Sequence, residues 1–223
     1  EMLRSLVGSE MCIRDRCIDP EVVTSLMRHK GHGSYLYQDE RNNVVFVGFD
    51  SEGIPAYASR RSTLTSSNFK GEISGSNGNI GWFVDNKASK LYVTESAIDA
   101  MSLMTMRKEA GQAIESANYL SIGGVSKFAA VGYWLDHHPN IEEVITACDH
   151  DEAGQKCNQD IMALVKEHHP NVAVKIFDDF GDNTTKDLNE ALCSQKQREK
   201  QTQQVKDVPL PFPKSNERGR EVE

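Results

Sequence analysis

Residues 144–154 read Val144-Ile145-Thr146-Ala147-Cys148-Asp149-His150-Asp151-Glu152-Ala153-Gly154, and this stretch decides the fold. Five residues able to sit in a buried strand run straight into two aspartates. Beyond them Ala153, Cys157, Ile161, Leu164 and Val165 recur at helical spacing. A strand feeding a long amphipathic helix is half of a β-α unit. The same alternation recurs on either side. Leu91–Thr94 is a short apolar strand, and Ala97, Ile98, Met101 and Met104 mark the helix behind it. Tyr119–Ile122 is a second strand, ending at Gly123-Gly124. Ser126 is placed to cap a helix carrying Phe128, Val131 and Leu135. Val172–Phe177 is a fourth strand, and Lys186–Leu192 a last short helix. Apolar strands alternating with helices predict an α/β fold: a parallel sheet with helices on both faces.

Upstream the pattern differs. Asp19-Pro20-Glu21 offers a helix N-cap, a proline at the first helical position and an acid in the first turn, so a short helix is expected to about Arg28. Val44–Phe49 and Ile54–Ala58 flank Asp50-Ser51-Glu52-Gly53, a hairpin signature. Gly71–Gly81 is rich in Gly, Ser and Asn and reads as a loop. Residues 17–85 are therefore expected to form a small, mainly β module, and residues 86–193 the α/β domain. Residues 194–223, polar and proline-containing, are expected to be disordered. Ser5–Arg16 resembles a translated sequencing adapter that recurs at the ends of unrelated metagenomic reading frames. On that reading residues 1–16 are foreign, and the native start has been lost.

Composition narrows the function classes. The formal net charge of −8 argues against a nucleic-acid binder that works by bulk positive field. It leaves room for an acidic site that meets phosphate through a metal ion, provided local cations guide the strand. Arg60, Arg61, Lys70, Arg107 and Lys108 are the candidates for such patches, against the plainer reading of a solvated surface. The five cysteines contain no C-x-x-C pair, so a zinc ribbon is not expected. Cys148 and Cys157 read as reduced core residues. His137-His138 and His168-His169 precede prolines and read as surface histidines. No stretch approaches the roughly 20 apolar residues that cross a bilayer, and no secretory signal is visible, so a cytoplasmic protein is expected.

In an open parallel sheet, ligands gather at the carboxyl ends of the strands. Glu95 follows the first strand of the α/β domain, and Asp149 and Asp151 follow the third. Side chains alternate along a strand, so the two aspartates can point one way with His150 turned aside. Paired carboxylates suit Mg²⁺ or Mn²⁺, hard cations that take one or two carboxylates and keep their other positions for water and phosphate oxygens. Gly154 permits a tight turn into the helix, whose amino end favours anions. Each acid also has a plainer reading. Asp151 can be the N-cap of its helix, Asp149 a solvated loop acid, and Glu95 an acid favoured by a helix start.

The strings V-T-E-S-A-I-D-A (93–100) and A-C-D-H-D-E-A-G-Q-K (147–156) together resemble the Toprim domain. That domain is shared by bacterial primases, type IA and type II topoisomerases, OLD-family nucleases and RecR-type repair proteins. K-D-L-N-E-A-L (186–192) resembles a later element of its primase-like members. Residues from about 18 to 85 resemble an uncharacterised domain that precedes Toprim in proteins of conjugative plasmids and transposons. The resemblance implies a Rossmann-like Toprim sheet with Glu95 as catalytic acid or base. Asp149 and Asp151 would be metal ligands, Asp187 a third metal-site acid, and Lys186 a neighbour of phosphate. Asp99 matches an acid that often follows the glutamate, and it reads equally as a helix-surface residue. Gly154, Arg60 and Arg61 are the further candidates for phosphate or nucleic-acid contact. Ser96 stands where the family often has glycine.

The implied chemistry is primase-like nucleotidyl transfer in mobile-element replication or transfer. Single-stranded DNA, nucleoside triphosphates and replication or conjugation proteins would be the partners. A metal-dependent nuclease and a non-catalytic DNA-binding module are the alternatives. A haloacid-dehalogenase-like phosphatase also places D-x-D after a strand, but its pattern usually has Thr or Val where Ala153 stands.

Overall fold

Five strand segments build the sheet on which the rest of the chain is arranged. A computed structural model describes residues 15–27, 33–62, 69–178, 180 and 185–206. In chain order the strands are β1 (Leu36–Gln38), β2 (Val44–Phe49), β3 (Pro55–Arg61), β4 (Lys70–Glu72), β5 (Trp82–Val84), β6 (Lys90–Thr94), β7 (Asn118–Ser121), β8 (Glu143–Ala147) and β9 (Ala173–Ile176). The helices are α1 (Pro20–Met27), α2 (Ala97–Glu109), α3 (Ala129–His137), α4 (Glu152–His168) and α5 (Leu188–Lys206).

The larger sheet has the order β5-β7-β6-β8-β9. β7, β6, β8 and β9 run parallel, and β5 joins β7 antiparallel at one edge. Every residue of β7 is buried, as is Leu91–Thr94 of β6 and Val144–Ala147 of β8. Strands buried along their whole length need cover on both faces. The helices supply it in two groups: α2 packs with α1 and α5, and α3 packs with α4. Met101 and Met104 lie in the core, as do Cys148 and Cys157, whose free thiols are 3.6 Å apart.

The smaller sheet, β1-β2-β3-β4, is wholly antiparallel. Its β2–β3 hairpin closes at the expected turn. Asp50 Oδ1 accepts from the amides of Glu52 and Ile54, each at 2.9 Å, and Gly53 takes φ 81°. The expected α1 is also present, with Asp19 accepting from the Glu21 amide at 2.7 Å. Val22, Val23 and Leu26 bury its apolar face.

Several expectations are corrected. Trp82-Phe83-Val84, assigned to the first module, completes the parallel sheet instead. All three residues are buried, and the Trp82 indole donates to the Tyr35 carbonyl at 3.0 Å. The two sheets therefore share one continuous core. Gly48 of β2 lies so close to Gly81 that a Cβ on Gly48 would sit 2.0 Å from the Gly81 carbonyl oxygen. The loop expected at 71–81 begins as β4. Ser126 lies inside a 3-10 turn, Val125–Lys127, and α3 starts without a side-chain cap.

The last helix does not stop near Leu192 but continues to Lys206. Its Gln, Lys, Glu and Arg residues are strong helix formers. Lys196 also forms ion pairs with Glu199 on the same helix and with Glu109 of α2. Residues 207–223 of the expected tail lie outside the described residues. So does the stretch read as adapter, except Asp15 and Arg16. The Arg16 carbonyl accepts from the Asn189 side chain at 2.8 Å. Among the described residues no helix is long and apolar enough to cross a membrane.

Candidate metal and nucleic-acid site

The chain leaves β6 towards β7 on one side and returns to β8 on the other. That reversal opens a crevice at the carboxyl ends of these strands. Parallel pairing sets Thr94 beside Ala147, so the segments that follow, Glu95 and Cys148-Asp149, emerge together. Ser96 turns the chain into α2 as its N-cap. It accepts from the Asp99 amide at 3.3 Å, and its hydroxyl donates to the Asp99 carboxylate at 2.5 Å. A serine where glycine is common in the resembled family thus has a local use.

On the β8 side, Asp149 occupies the turn and Asp151 caps α4, accepting from the Gly154 amide at 3.0 Å. The cap reading of Asp151 and its place beside Asp149 are therefore compatible. A Cβ on Gly154 would stand 2.2 Å from the Asp149 carbonyl oxygen. The glycine's part is steric, since its N–H is already given to Asp151. Asn158, unremarked in the sequence, binds the turn from below. Its side-chain oxygen accepts from Thr146 Oγ1 at 2.5 Å and from the Cys148 amide at 3.1 Å. Its only sequence signal is an amide interrupting the apolar stripe of α4.

A third segment arrives from the start of α5. Lys186 Nζ stands 3.4 Å from Asp151 Oδ2 and 4.0 Å from Asp149 Oδ2. One ammonium thus stands within 4.0 Å of both aspartates. Asp187 accepts from the Glu190 amide at 2.8 Å, at the head of α5. Asp99 is buried beneath this group rather than on a helix surface.

The electrostatics are those of acids with too few counter-charges. Burial, reinforced by the carboxylates of Asp99, Glu95 and Asp187, pushes Asp149 up to about 7. Burial and the negative charge of Asp151 raise Glu95 as well. Burial raises Asp99 to about 6 despite the Ser96 hydroxyl. Asp151 moves down, held by the Gly154 amide and by Lys186. Such repulsion is relieved by a cation.

The donors fit a hard divalent ion in kind, because all are carboxylate oxygens. Among the described residues, however, no three acids, histidines or cysteines stand close enough to enclose one. The expected meeting of Glu95, Asp149 and Asp151 around a single point is thus an electrostatic neighbourhood rather than a finished cage. Lys186 lies against the aspartate pair, and Asp187 is engaged in its cap.

Glu95 opens into a cleft of about 310 Å³ between the two sheets, which Arg60, Arg61, Lys70, Glu72 and Gly123 also line. Arg60 lies 5.7 Å from the centre of the Phe69 ring. The Glu72–Lys127 ion pair ties β4 to the turn after β7. The other basic candidates are corrected. Arg107 is buried and donates to Tyr92, Tyr119 and Ser116, and Lys108 is paired with Asp19 and Glu21. His138, expected at the surface, is 8 % exposed and bonds Asp85 at 3.0 Å.

Residues 92–192 match a family described as Toprim-like. Residues 13–87 match one described as a protein of unknown function (DUF3991). No curated protein matches the sequence. Among solved structures, the chain is similar to the primase fragment of the bacteriophage T7 primase-helicase protein. That match is 18% identical, covers 85% of this chain and 72% of that chain, and has a TM-score of 0.56. It is also similar to a DnaG catalytic core, at 14% identity, 90% and 75% coverage and a TM-score of 0.57. The E. coli primase catalytic core matches at 13% identity, 90% and 74% coverage and a TM-score of 0.54. At identities this low the likeness, carried by the superposition of the structures, is one of fold alone.

Proposed function

Residues 92–192 of this chain belong to the Toprim-like family, and from that premise we propose that the protein performs divalent-metal-dependent phosphodiester chemistry on nucleic acid, of the primase kind. The hydroxyl end of a strand paired with single-stranded DNA would attack the α-phosphorus of a nucleoside triphosphate, forming the new phosphodiester bond as the bond to the β-phosphate breaks and pyrophosphate leaves. The observation that carries this reading is the convergence of acids from three distant segments beside a cleft lined by Arg60, Arg61 and Lys70.

Asp149 and Asp151 are the residues that would hold Mg²⁺ or Mn²⁺, with Asp187 nearby. The ion's contribution when bound is to neutralise charge on phosphoryl oxygens. Glu95, with its proton affinity raised, would accept the proton of the attacking hydroxyl at its carboxylate. Lys186 would turn its ammonium from the aspartates towards triphosphate oxygens. Arg60, Arg61 and Lys70 would hold the strand by its phosphates, a local remedy for the negative charge of the whole chain. A setting in replication or transfer of a mobile element is the expectation carried by the resemblance of residues 18–85.

The test is incubation of the full chain with labelled single-stranded DNA, nucleoside triphosphates and Mg²⁺ or Mn²⁺. New strands should appear with the wild type and not with Asp149→Asn. Shortened DNA without triphosphates would replace this reading with a nuclease. DNA retention unaffected by metal, with no product, would leave a binding module.

A further inference from the structure

The opposite end of the larger sheet carries a second cavity, which the proposed chemistry does not use. Val84 of β5 pairs with Tyr119 near the start of β7, so Asp85 emerges at the amino ends of the parallel strands, away from Glu95. There the turn after β2 meets the end of α3. The Tyr133 hydroxyl accepts from the Ser51 amide at 3.2 Å and donates to the Ser51 hydroxyl at 3.1 Å. Beside this contact lies a cavity of about 190 Å³, whose polar lining includes Asp50, Asp85, Lys87, His137, His138 and Asn140. None of these residues lines the Glu95 cleft.

One charge pair in the lining is complete. Asp85 accepts from the Lys87 amide at 2.9 Å, from the Lys87 ammonium and from His138 Nε2 at 3.0 Å. Burial opposes its charge, yet these bonds hold its carboxyl well below the usual carboxylate range. The groups left over are acceptors. With Nε2 donating to Asp85, Nδ1 of the neutral His138 ring is an acceptor. That atom is buried, in a side chain 9% exposed, and has no hydrogen-bond partner among the described residues. Such an orphan is rare in a native fold and points to a missing partner. His137 Nδ1 lies 2.8 Å from the Tyr133 carbonyl oxygen and so carries the proton, which makes Nε2 of the neutral ring another acceptor. Asn140 gives its Nδ2 to the Lys87 and Ala88 carbonyls, leaving its side-chain oxygen. Asp50 Oδ1 closes the β2–β3 turn, and among the described residues no cation pairs with its carboxylate.

We propose that this cavity binds a guanidinium group, with Asp50 as its counter-charge and His138, His137 and Asn140 as further acceptors. A guanidinium carries five donors and no acceptor, is weakly hydrated and stacks on aromatic faces. The Phe83 and Trp134 rings, stacked with centroids 3.9 Å apart, supply such a wall. An anion would meet acceptors and the Asp50 charge, and the lysine of the lining already serves Asp85. Among the described residues no three acids, histidines or cysteines stand close enough to hold a metal ion, so the cation is an organic one. Sites for drug-sized ligands span roughly 300–1,000 Å³, so this smaller cavity takes an end group. The inference is independent of the metal-dependent reading above.

The experiment titrates the full chain, its two tryptophans carrying ¹⁵N in the indole, with methylguanidinium while NMR follows both signals. Trp134 lines the cavity, whereas Trp82 does not and reports that the fold is intact. The Trp134 signal should move to saturation while Trp82 holds still. Tetramethylammonium, with the same charge and no donor, should leave Trp134 in place at equal ionic strength. Asp50→Asn keeps the oxygen that the turn needs and loses the charge, so it should weaken binding about tenfold or more. Lys87→Gln removes a like charge and should tighten binding about threefold. It carries the comparison if Asp50→Asn does not fold, and unchanged or weaker binding in it then overturns the proposal. A Trp134 signal that does not saturate, or that moves equally with tetramethylammonium, overturns it as well. So does wild-type affinity in a folded Asp50→Asn protein. A peptide with one arginine and blocked ends distinguishes the sources of the group. Binding about tenfold tighter than methylguanidinium supports the proposal with an arginine of a partner protein as ligand, and equal or weaker binding supports it with a free guanidine compound.

Discussion

Asp149→Asn should make the metal-free protein more stable at neutral pH while abolishing its response to metal. In the folded chain the Asp149 carboxyl is pushed from 3.8 to about 7, first by burial and then by Asp99, Glu95 and Asp187. A carboxyl whose folded value is raised binds its proton more tightly when folded. Its stabilising contribution is whole below about pH 4 and is lost as pH rises through 7. At about 1.4 kcal/mol per tenfold change in proton affinity, the rise corresponds to at most about 4 kcal/mol. The side chain is 15% exposed and has Lys186 within 4.0 Å, so solvent and local relaxation reduce the penalty to roughly 2 kcal/mol.

Asparagine preserves the shape and removes the charge. For a chain of this length the variant should unfold about 4–8 °C higher than wild type at pH 8 in a chelator. The difference should shrink towards pH 4, where the wild-type carboxyl is protonated. Adding Mn²⁺ should raise the unfolding temperature of the wild type and leave the variant unchanged. Thermal unfolding at three pH values, with and without Mn²⁺, decides the matter. A variant no more stable than wild type at pH 8, or one stabilised by Mn²⁺ to the same degree, would refute the reasoning.

Glu95→Gln should lower strand synthesis at least about 100-fold with little change in Mn²⁺ affinity, measured by initial rates and ion titration. Unchanged rates would remove Glu95 from proton transfer. Arg60→Ala and Arg61→Ala should each weaken single-stranded DNA binding with no preference among sequences, and should flatten its dependence on salt by about one phosphate contact. Fluorescence anisotropy across a salt series reads both effects, and an unaltered slope would place the strand elsewhere. Gly154→Ala should cost about 1–3 kcal/mol, because its Cβ meets the Asp149 carbonyl where the backbone has no room to give. Denaturant unfolding would show it, and a neutral alanine would mean that the turn is looser than this contact implies.

The strands of the α/β domain and the turn at Asp50–Gly53 were legible because their causes are local. An apolar run of four or five residues bounded by breakers forms a strand wherever the chain puts it. Trp82–Val84 has the same kind of composition, yet its partner could not be read. Antiparallel addition to β7 depends on which sheet edge lies open, not on the residues themselves. The length of α5 was obscured for the opposite reason: a polar stretch looks unfoldable until its helix propensity and its Lys196–Glu109 pair are weighed together.

The amino-acid order by itself determined the α/β alternation, the acids at strand ends and the glycine after D-x-D, since each follows from steric and hydrophobic rules acting over a few residues. Only the tertiary structure decided which charges meet. It buried Arg107 among tyrosines, turned Arg60 and Arg61 into the cleft, and brought Lys186 across to the aspartates. Electrostatic interaction depends on distance in space and on burial, and neither is fixed until the sheet has closed and the last helix has packed against it.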